Sequence, residues 1–307
     1  MQYNNRIDDE TQSFLDLVLS SAPTNPSDLS FAEQRRIFDQ FCSAFRPPRP
    51  DVVSTADEQA DGVPVRVYSA GHPTRTVLYM HGGGFALGGL DSHDDICAEI
   101  CAQTGYRVVS VGYRLAPEHK HPAAFDDCLT ALHWARARFA DALVLAGDSA
   151  GANLAAALCH HLRGQDMQIL GQVLIYPWLG DDLTTPSCLE HSMAPLLNPL
   201  MLAAFRATRL PGLSPQGDPR FAPLLDRDFR ALPPTALFSA DLDPLRDDAR
   251  LYHDALQNAG VPVHWVNEPG LFHGYMHARS NITRARDSFE RIILAIEALG
   301  QEIWPWS

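Results

Sequence analysis

The pentapeptide GDSAG at residues 147–151 contains a serine whose hydroxyl could act as a nucleophile. It follows an apolar run, ALVLA, and precedes a helix-forming run, ANLAAALC. In a G-x-S-x-G motif at such a strand-to-helix junction, the glycines allow the sharp turn that lifts a serine hydroxyl above a sheet. Ser149 is therefore the predicted nucleophile, and Asp148 beside it is predicted to be structural.

A second glycine-rich segment, HGGGF at residues 81–85, follows an apolar run that ends at Met80. Acyl transfer to a serine passes through a negatively charged tetrahedral intermediate, and backbone N–H groups of glycines can approach that oxygen closely. Gly83 and Gly84, with Ala150 after the serine, are the predicted donors of an oxyanion hole. A plain turn or a phosphate-binding loop is the alternative. Neither GxGxxG nor GxxxxGK(S/T) occurs here, which weakens the phosphate interpretation.

A serine nucleophile needs a base at neutral pH, and the chain contains thirteen histidines. In one common order of triad residues, the serine comes first, the acid second and the histidine last. His273 is favoured because it follows the last predicted strand, on a loop that contains Gly270 and Gly274. His277, one helical turn further on, is the nearest rival and is predicted to lie at the start of the following segment.

The base needs an orienting carboxylate, and the segment ADLDPLRDD at residues 240–248 offers four candidates. The proline after Asp243 marks this residue as the last extended one before a helix, which places its side chain at the end of a strand. Asp241 is a close competitor. Asp247 and Asp248 are predicted to fall in the first helical turn, where they favour the helix dipole.

Strands and helices alternate along the part of the sequence that contains these motifs. Apolar runs predict strands at residues 76–80, 106–111, 142–146, 172–175, 236–239 and 263–266. Helical spacing predicts helices at residues 123–138, 151–162, 245–259 and 282–299. This order predicts an α/β fold with a mostly parallel sheet covered on both faces. Alternating valines at 63–67 predict an antiparallel edge strand, and Ser92 with Asp95 predicts a capping box at the start of a helix.

The remaining chain is predicted to form a cap over the site. Residues 1–50 are predicted to form an N-terminal helical cap segment, because residues 8–44 carry helical spacing and the proline-rich RPPRP at 46–50 ends it. Residues 178–220 interrupt the alternation and contain one predicted helix near 197–207. An insertion between strands of such a sheet falls above their carboxyl ends, where ligands bind. The catalytic core is thus predicted to comprise residues 51–177 and 221–307.

Composition argues against several classes of function. With 24 basic and 37 acidic residues, the formal charge of −13 opposes nucleic-acid binding and disfavours anionic substrates. The N-terminus lacks the basic start and apolar run of a signal peptide, and no apolar run approaches the length of about eighteen residues that a membrane span needs. A cytoplasmic location is therefore expected. The six scattered cysteines are predicted to be reduced and mostly buried.

Five segments taken together resemble the hormone-sensitive-lipase-like family of microbial carboxylesterases, in its GDSAG branch. They are HGGGF at 81–85, YRLAPE at 113–118, GDSAG at 147–151, DPLRD at 243–247 and HGY at 273–275. The resemblance extends over about residues 63–300. It implies an α/β-hydrolase fold in which a mostly parallel central sheet carries helices on both faces and a helical cap.

The resemblance implies a triad and an oxyanion hole made by Ser149, Asp243, His273, Gly83, Gly84 and Ala150. The family's common HGF is HGY here, so a tyrosine occupies the aromatic position. The predicted substrate pocket contains Phe85, Trp178, Leu179 and Tyr275.

The resulting hypothesis is hydrolysis of uncharged short-chain acyl esters through an acyl-enzyme, with no metal or cofactor required. The expected partner is a small-molecule ester. Trp304 and Trp306 either pack back on the protein or support a homodimer. Two alternatives stay open: an amidase or peptidase that uses the same triad, and a non-catalytic ligand-binding protein on this scaffold.

Two further features have weaker interpretations. Glu118 is predicted to hold the loop beneath the site through Arg114 or a backbone amide. His119 and His121 form an HxH pair, but neither HExxH nor a convergent carboxylate set accompanies it, so the sequence does not favour a zinc site.

Overall fold

A mixed β-sheet forms the centre of the part of the chain that the structure describes, residues 3, 6–21, 29–210 and 217–306 of a computed structural model. Its strands are β1 (Ser54–Ala60), β2 (Val63–Ser69), β3 (Thr76–Met80), β4 (Arg107–Val111), β5 (Leu143–Asp148), β6 (Ile169–Ile175), β7 (Thr235–Leu242) and β8 (Val263–Phe272). They lie in the order β1-β2-β4-β3-β5-β6-β7-β8. Strands β3 to β8 pair in parallel, whereas β2 is antiparallel to both β1 and β4.

Helices cover both faces of this sheet. They are α1 (Asp9–Ser21), α2 (Phe31–Ala44), α3 (Asp94–Thr104), α4 (Ala123–Phe139), α5 (Ala150–His161), α6 (Pro186–Glu190), α7 (Pro199–Arg209), α8 (Arg246–Asn258) and α9 (Thr283–Gly300). Successive side chains of a strand point to opposite faces, so β3 contributes Leu78 to one core, with α4, α5 and α8, and Tyr79 to the other, with α3 and α9. The predicted α/β fold with a mostly parallel sheet is confirmed.

The antiparallel end of the sheet differs from the prediction. β1 was not predicted because its sequence, STADEQA, is polar and six of its seven residues are exposed or half-buried. It pairs with β2 along the whole of both strands. The segment that contains the alternating valines is therefore an interior strand, and the prediction of an edge strand at 63–67 is wrong.

The predicted capping box at α3 is also wrong. The helix begins after His93, which makes no side-chain cap. The Ser92 hydroxyl instead donates to the Gly89 carbonyl at 3.0 Å and accepts from the Gly89 N–H at 2.9 Å, which closes a loop before the helix. Asp95 accepts a hydrogen bond from the buried Arg279 at 2.5 Å.

Helix α2, from the N-terminal segment predicted to cap the site, contacts the core near the HGGGF loop. From α2, the Arg35 side chain donates to the carbonyl oxygens of Ala86 at 2.8 Å and Ala116 at 2.9 Å. The predicted helix near 197–207 is observed as α7, whereas the short helix α6 was not predicted. The division of the chain into core and cap stays a prediction.

Several smaller predictions are settled by burial and packing. All six cysteines are buried and free, as expected. Trp306 stacks on His264 with ring centroids 4.5 Å apart, and Trp304 packs against Trp306, so both tryptophans fold back on the protein. Within the described ranges, no helix combines the length and apolar character needed to cross a bilayer.

Candidate active site

Ser149 lies in a tight turn between the end of β5 and the start of α5. Its backbone angles, φ 53° and ψ −117°, define a conformation that residues other than glycine rarely adopt. The flanking glycines make the turn possible: a β-carbon on Gly147 would lie 2.6 Å from the Met80 carbonyl oxygen, and one on Gly151 would overlap that oxygen. The Ser149 N–H donates to the Ile175 carbonyl at 2.8 Å, which fixes the turn to β6.

The structure brings Ser149, His273 and Asp243 into one hydrogen-bonded chain. The Ser149 Oγ lies 2.8 Å from His273 Nε2, and His273 Nδ1 lies 2.7 Å from Asp243 Oδ2. Because the carboxylate accepts, Nδ1 carries the proton and Nε2 is free to accept one from the serine. Asp243 is fully buried at the end of β7, and its other oxygen accepts the Leu245 N–H at 2.9 Å.

The competing carboxylates of the same segment have other partners. Asp241 forms an ion pair with Arg6 at 3.0 Å. Asp247 and Asp248 accept backbone N–H groups from the segment 179–187. The proline after Asp243 was therefore a useful signal, since it separated the carboxylate that reaches the imidazole from Asp247 and Asp248.

The HGGGF loop places glycine N–H groups beside the serine turn. Gly83 and Gly84 have φ values of 117° and 61°, which favour glycine. Ala86 N–H and Leu87 N–H donate to the Gly83 carbonyl at 3.1 and 2.8 Å, which closes the loop on itself. The N–H groups of Gly83, Gly84 and Ala150 form no hydrogen bond with another described residue, so they are available to an acceptor in the site.

Asp148 holds the two active-site loops together. Its Oδ1 accepts hydrogen bonds from the Gly82 N–H and the Tyr79 hydroxyl, both at 2.9 Å. Tyr176 donates to Oδ2 at 3.3 Å, and His93 Nε2 lies 3.2 Å from Oδ1. Burial alone would raise the pKa of this carboxyl, but the attraction of His93 and the hydrogen bonds hold the pKa well below its usual range. The carboxylate therefore stays charged and fixed, which supports the predicted structural role.

A small apolar cavity opens onto the serine. Its volume is about 160 Å³, and Asp148, Ser149, Tyr176, His273, His277 and the loop glycines Gly83, Gly84 and Gly274 form part of its wall. The apolar wall consists of Phe38, Leu87, Trp178, Leu196, Leu197, Met201, Leu202 and Phe205. Trp178 was predicted. Most of the others come from α2, α7 and the segment before α7, and the amphipathic spacing of these helices was the only signal for them in the sequence.

Three predicted pocket residues do not line this cavity. Phe85 has a φ of 63°, which turns its ring against the Arg209 guanidinium, 3.6 Å from the ring centroid. Leu179 is fully buried in the core. Tyr275 is fully buried as well, and its hydroxyl lies 2.8 Å from the Ser288 hydroxyl. These corrections arise because side-chain direction at loop positions depends on backbone angles that the sequence motif does not fix.

The weaker candidates have structural partners. Glu118 forms an ion pair with Arg35 at 2.7 Å, whereas Arg114 pairs with Asp127 at 2.8 Å, so the expected Glu118–Arg114 contact is wrong. Glu118 nevertheless contacts the loop region through the arginine that binds the Ala86 carbonyl.

Two other histidines that the sequence singled out do not hydrogen-bond Ser149. His277 lies in a 3-10 turn after β8, and its Nε2 is 3.9 Å from Cys42 Sγ. His121 lies 3.3 Å from Asp218. Within the described part of the chain, no three His, Cys, Asp or Glu side chains are grouped to hold a metal ion.

Comparisons with known proteins agree with the fold. A family model described as the alpha/beta hydrolase fold matches residues 77–277, and the chain belongs to this family.

Individual relatives narrow the class further. The chain is 37% identical over 248 residues to carboxylesterase NlhH of Mycobacterium tuberculosis, which spans 76% of this chain and 78% of the relative. It is 34% identical over 289 residues to an ethyl acetate hydrolase of Pseudomonas putida, with 88% and 90% covered. A solved esterase of the bacterial hormone-sensitive lipase family superposes with a TM-score of 0.86 at 26% identity, covering 95% of this chain and 98% of that one. The predicted carboxylic ester hydrolase class is thereby confirmed.

Proposed function

We propose that the chain hydrolyses uncharged short-chain carboxylic esters through an acyl-enzyme on Ser149. The observation that carries this proposal is the continuous hydrogen-bonded chain from Ser149 Oγ through His273 to Asp243, with distances of 2.8 and 2.7 Å. This is the arrangement that a nucleophile, a base and an orienting acid require.

In the first half-reaction, His273 Nε2 takes the Ser149 proton while Oγ attacks the ester carbonyl carbon. The tetrahedral intermediate then collapses, the C–O bond to the alcohol breaks, and His273 returns its proton to the departing alcohol. In the second half, His273 removes a proton from water as the water oxygen attacks the acyl carbon. The bond between the acyl carbon and Ser149 Oγ then breaks, His273 returns the proton to Oγ, and the acid leaves. Asp243 fixes the imidazole tautomer and stabilises its cation.

The negative oxygen of both intermediates is bound by the N–H groups of Gly83, Gly84 and Ala150. None of the three donates to another described residue, so no protein hydrogen bond has to break before they bind the oxyanion. A donor of this kind contributes about 3 kcal/mol to transition-state stabilisation, which is a factor of a hundred or more in rate.

The cavity supports a short uncharged substrate. Its volume of about 160 Å³ and its apolar wall suit a small hydrocarbon group; a cavity of about 150 Å³ in another protein accommodates benzene. The net charge of −13 disfavours anionic esters. The relative named for ethyl acetate hydrolysis supports the short-chain assignment.

The cap and the cellular setting belong to the same proposal. Residues 1–50 and 178–220 supply Phe38, Leu197 and Phe205 to the cavity wall, which supports their role as a cap that limits substrate size. Six buried, unpaired thiols support a reducing, cytoplasmic location. The homodimer stays a prediction, which analytical ultracentrifugation would test.

The experiment is fluorophosphonate labelling combined with hydrolysis of p-nitrophenyl esters from acetate to palmitate. We expect rapid labelling, activity that peaks at short acyl chains, and loss of both in Ser149→Ala. Ser54→Ala, an exposed serine on β1, is the matched control and should label and hydrolyse normally. Activity that rises steadily towards palmitate would contradict the chain-length proposal, and full activity in Ser149→Ala would contradict the mechanism.

Amide hydrolysis by the same residues is tested by the same preparation. Matched esters and anilides of butyrate separate the two activities, because the motifs fix the nucleophile and leave the leaving group open. A folded wild-type protein that does not label at all would instead favour the non-catalytic alternative.

A further inference from the structure

His277 forms part of the wall of the active-site cavity, on the turn that follows His273. Only 6% of the residue is exposed, and the cavity is the open space that it lines. It was a rival for the base, but the serine hydroxyl binds His273 instead. The mechanism proposed above therefore leaves this imidazole without a role.

The other polar side chains in the cavity wall are all engaged with protein groups. Ser149 binds His273, and the second nitrogen of His273 binds Asp243. The Tyr176 hydroxyl donates to Asp148, whose oxygens also accept from elsewhere in the two loops. Each of these side chains therefore already hydrogen-bonds another protein group, and only Ser149 and His273 exchange these partners during the proposed reaction.

His277 differs from them in having one unpaired ring nitrogen. Its Nε2 lies 3.9 Å from Cys42 Sγ, and its ring makes edge contacts with Phe38, Phe41 and His93. Its Nδ1 forms no hydrogen bond with another described residue. The protein does not fully enclose this nitrogen either. A bound molecule that supplies a hydrogen-bond partner to this nitrogen is therefore held more tightly.

The imidazole is neutral at the pH at which an esterase works. Burial, together with the repulsion of His93, lowers the pKa of His277 to about 3. Asp148 and Asp95 act in the opposite direction, while Arg279 lowers the pKa further. In a neutral imidazole one nitrogen donates and the other accepts, so Nδ1 pairs with a neutral polar group.

We propose that His277 selects esters that carry a hydroxyl group within a few bonds of the reacting carbonyl. This inference deepens the proposed function and rests on it. A hydroxyl both donates and accepts, so it pairs with either tautomer of His277, whereas a keto oxygen can only accept. The cavity of about 160 Å³ is small, and both Ser149 and His277 line it, so a short chain bonded to Ser149 occupies the space that His277 faces. An ester hydroxyl thus gives Nδ1 the partner that the protein does not.

The test compares hydroxyl esters with isosteric esters in which a methyl group replaces the hydroxyl. The pairs are methyl lactate with methyl isobutyrate, methyl 3-hydroxybutyrate with methyl 3-methylbutyrate, and 2-hydroxyethyl acetate with propyl acetate. kcat/KM is measured for each ester and divided by its alkaline hydrolysis rate, which removes differences in intrinsic reactivity. In at least one pair, we expect His277→Leu to lower the hydroxyl-to-methyl ratio about tenfold relative to wild type, the effect of one neutral hydrogen bond.

Two further variants separate hydrogen bonding from packing. His277→Gln keeps a neutral donor and acceptor, and should retain part of the preference even if the leucine variant folds poorly. Cys42→Ala removes the neighbour of Nε2 but leaves Nδ1 in place, and should retain the wild-type ratio. Circular dichroism and fluorophosphonate labelling of Ser149 establish that each variant has a folded active site.

The outcomes distinguish this inference from the proposed function. Equal changes for both members of every pair in His277→Leu and His277→Gln would overturn the role of His277 while ester hydrolysis by Ser149 stands. A ratio that falls as far in Cys42→Ala as in His277→Leu would also overturn it, because packing would then explain the effect. A wild-type protein that neither labels nor hydrolyses any ester would refute the proposed function itself.

Discussion

The ring of Phe205 rests directly on Gly84: a β-carbon at Gly84 would lie 2.6 Å from the Phe205 Cγ. Phe205 belongs to α7, in the predicted cap, whereas Gly84 belongs to the predicted oxyanion loop. The contact therefore joins the proposed limit on substrate size to a proposed donor of the oxyanion hole. It also explains why residue 84 must lack a side chain even though its neighbour Phe85 has one.

Replacing this ring should lengthen the acyl chain that the cavity accepts. In Phe205→Ala the wall opens above Gly84, and each additional methylene that becomes buried contributes about 0.8 kcal/mol to binding. We expect the ratio of kcat/KM for p-nitrophenyl octanoate to that for the butyrate to rise about tenfold. Leu294→Ala, an exposed leucine on α9, is the control. An unchanged chain-length profile in Phe205→Ala would show that another part of the wall sets the limit.

The two aspartates at the end of β7 should differ sharply in their effect on catalysis. Asp243→Asn no longer holds the imidazole in the tautomer that can accept the serine proton, and kcat should fall about ten-thousandfold. Asp241→Asn removes an ion pair to Arg6 that lies away from the imidazole, and kcat should stay within about threefold of wild type. Stopped assays with p-nitrophenyl butyrate measure both. Similar losses in the two variants would contradict the placement of Asp243 as the orienting acid.

Close packing at the serine turn predicts a large difference between two glycine-to-alanine substitutions. A β-carbon on Gly151 would overlap the Met80 carbonyl, so Gly151→Ala must displace β3 or α5. Overpacking of this kind lowers the free energy of unfolding by about 1–3 kcal/mol. Gly89→Ala meets no atom within 4 Å and should change that free energy by less than about 0.5 kcal/mol. Urea denaturation followed by circular dichroism measures both, and equal midpoints would refute the packing argument.

The sequence was most informative where local chemistry dictates the structure. The glycines around Ser149 predicted the turn because only residues without a β-carbon fit against Met80. The proline after Asp243 distinguished it from Asp247 and Asp248, whereas Asp241 stayed a competitor. These signals lie within a few residues of the group that they position, so one sequence is enough to detect them.

The sequence was least informative where tertiary packing decides. β1 carries no apolar alternation, because it is an exposed edge strand held by backbone pairing to β2. Phe85 and Tyr275 are the last residues of their motifs but point into the core, since backbone angles and distant partners such as Ser288 set their direction. Phe205 reaches Gly84 across more than a hundred residues of chain, and no local pattern announces that contact.

Asp248 should make stability depend on pH through the segment that carries Trp178. This carboxyl lies buried in the first turn of α8 and accepts the N–H groups of Leu179 and Gly180 at 2.8 and 2.7 Å. Burial raises its pKa to about 7, the two hydrogen bonds oppose that shift, and the nearby Asp243 adds to it.

Between the unfolded pKa of about 3.9 and the folded value of about 7, the native protein binds more protons at Asp248 than the unfolded chain does. The free energy of unfolding therefore falls as pH rises through this window, by up to about 1.4 kcal/mol per pH unit. Asp248→Asn cannot lose a proton and lacks this contribution. Measured by urea denaturation, the unfolding free energy of the wild type should fall relative to that of Asp248→Asn by on the order of 2–4 kcal/mol between pH 4.5 and pH 8. Parallel pH profiles for the two proteins would show that Asp248 ionises as readily in the folded protein as in the unfolded chain.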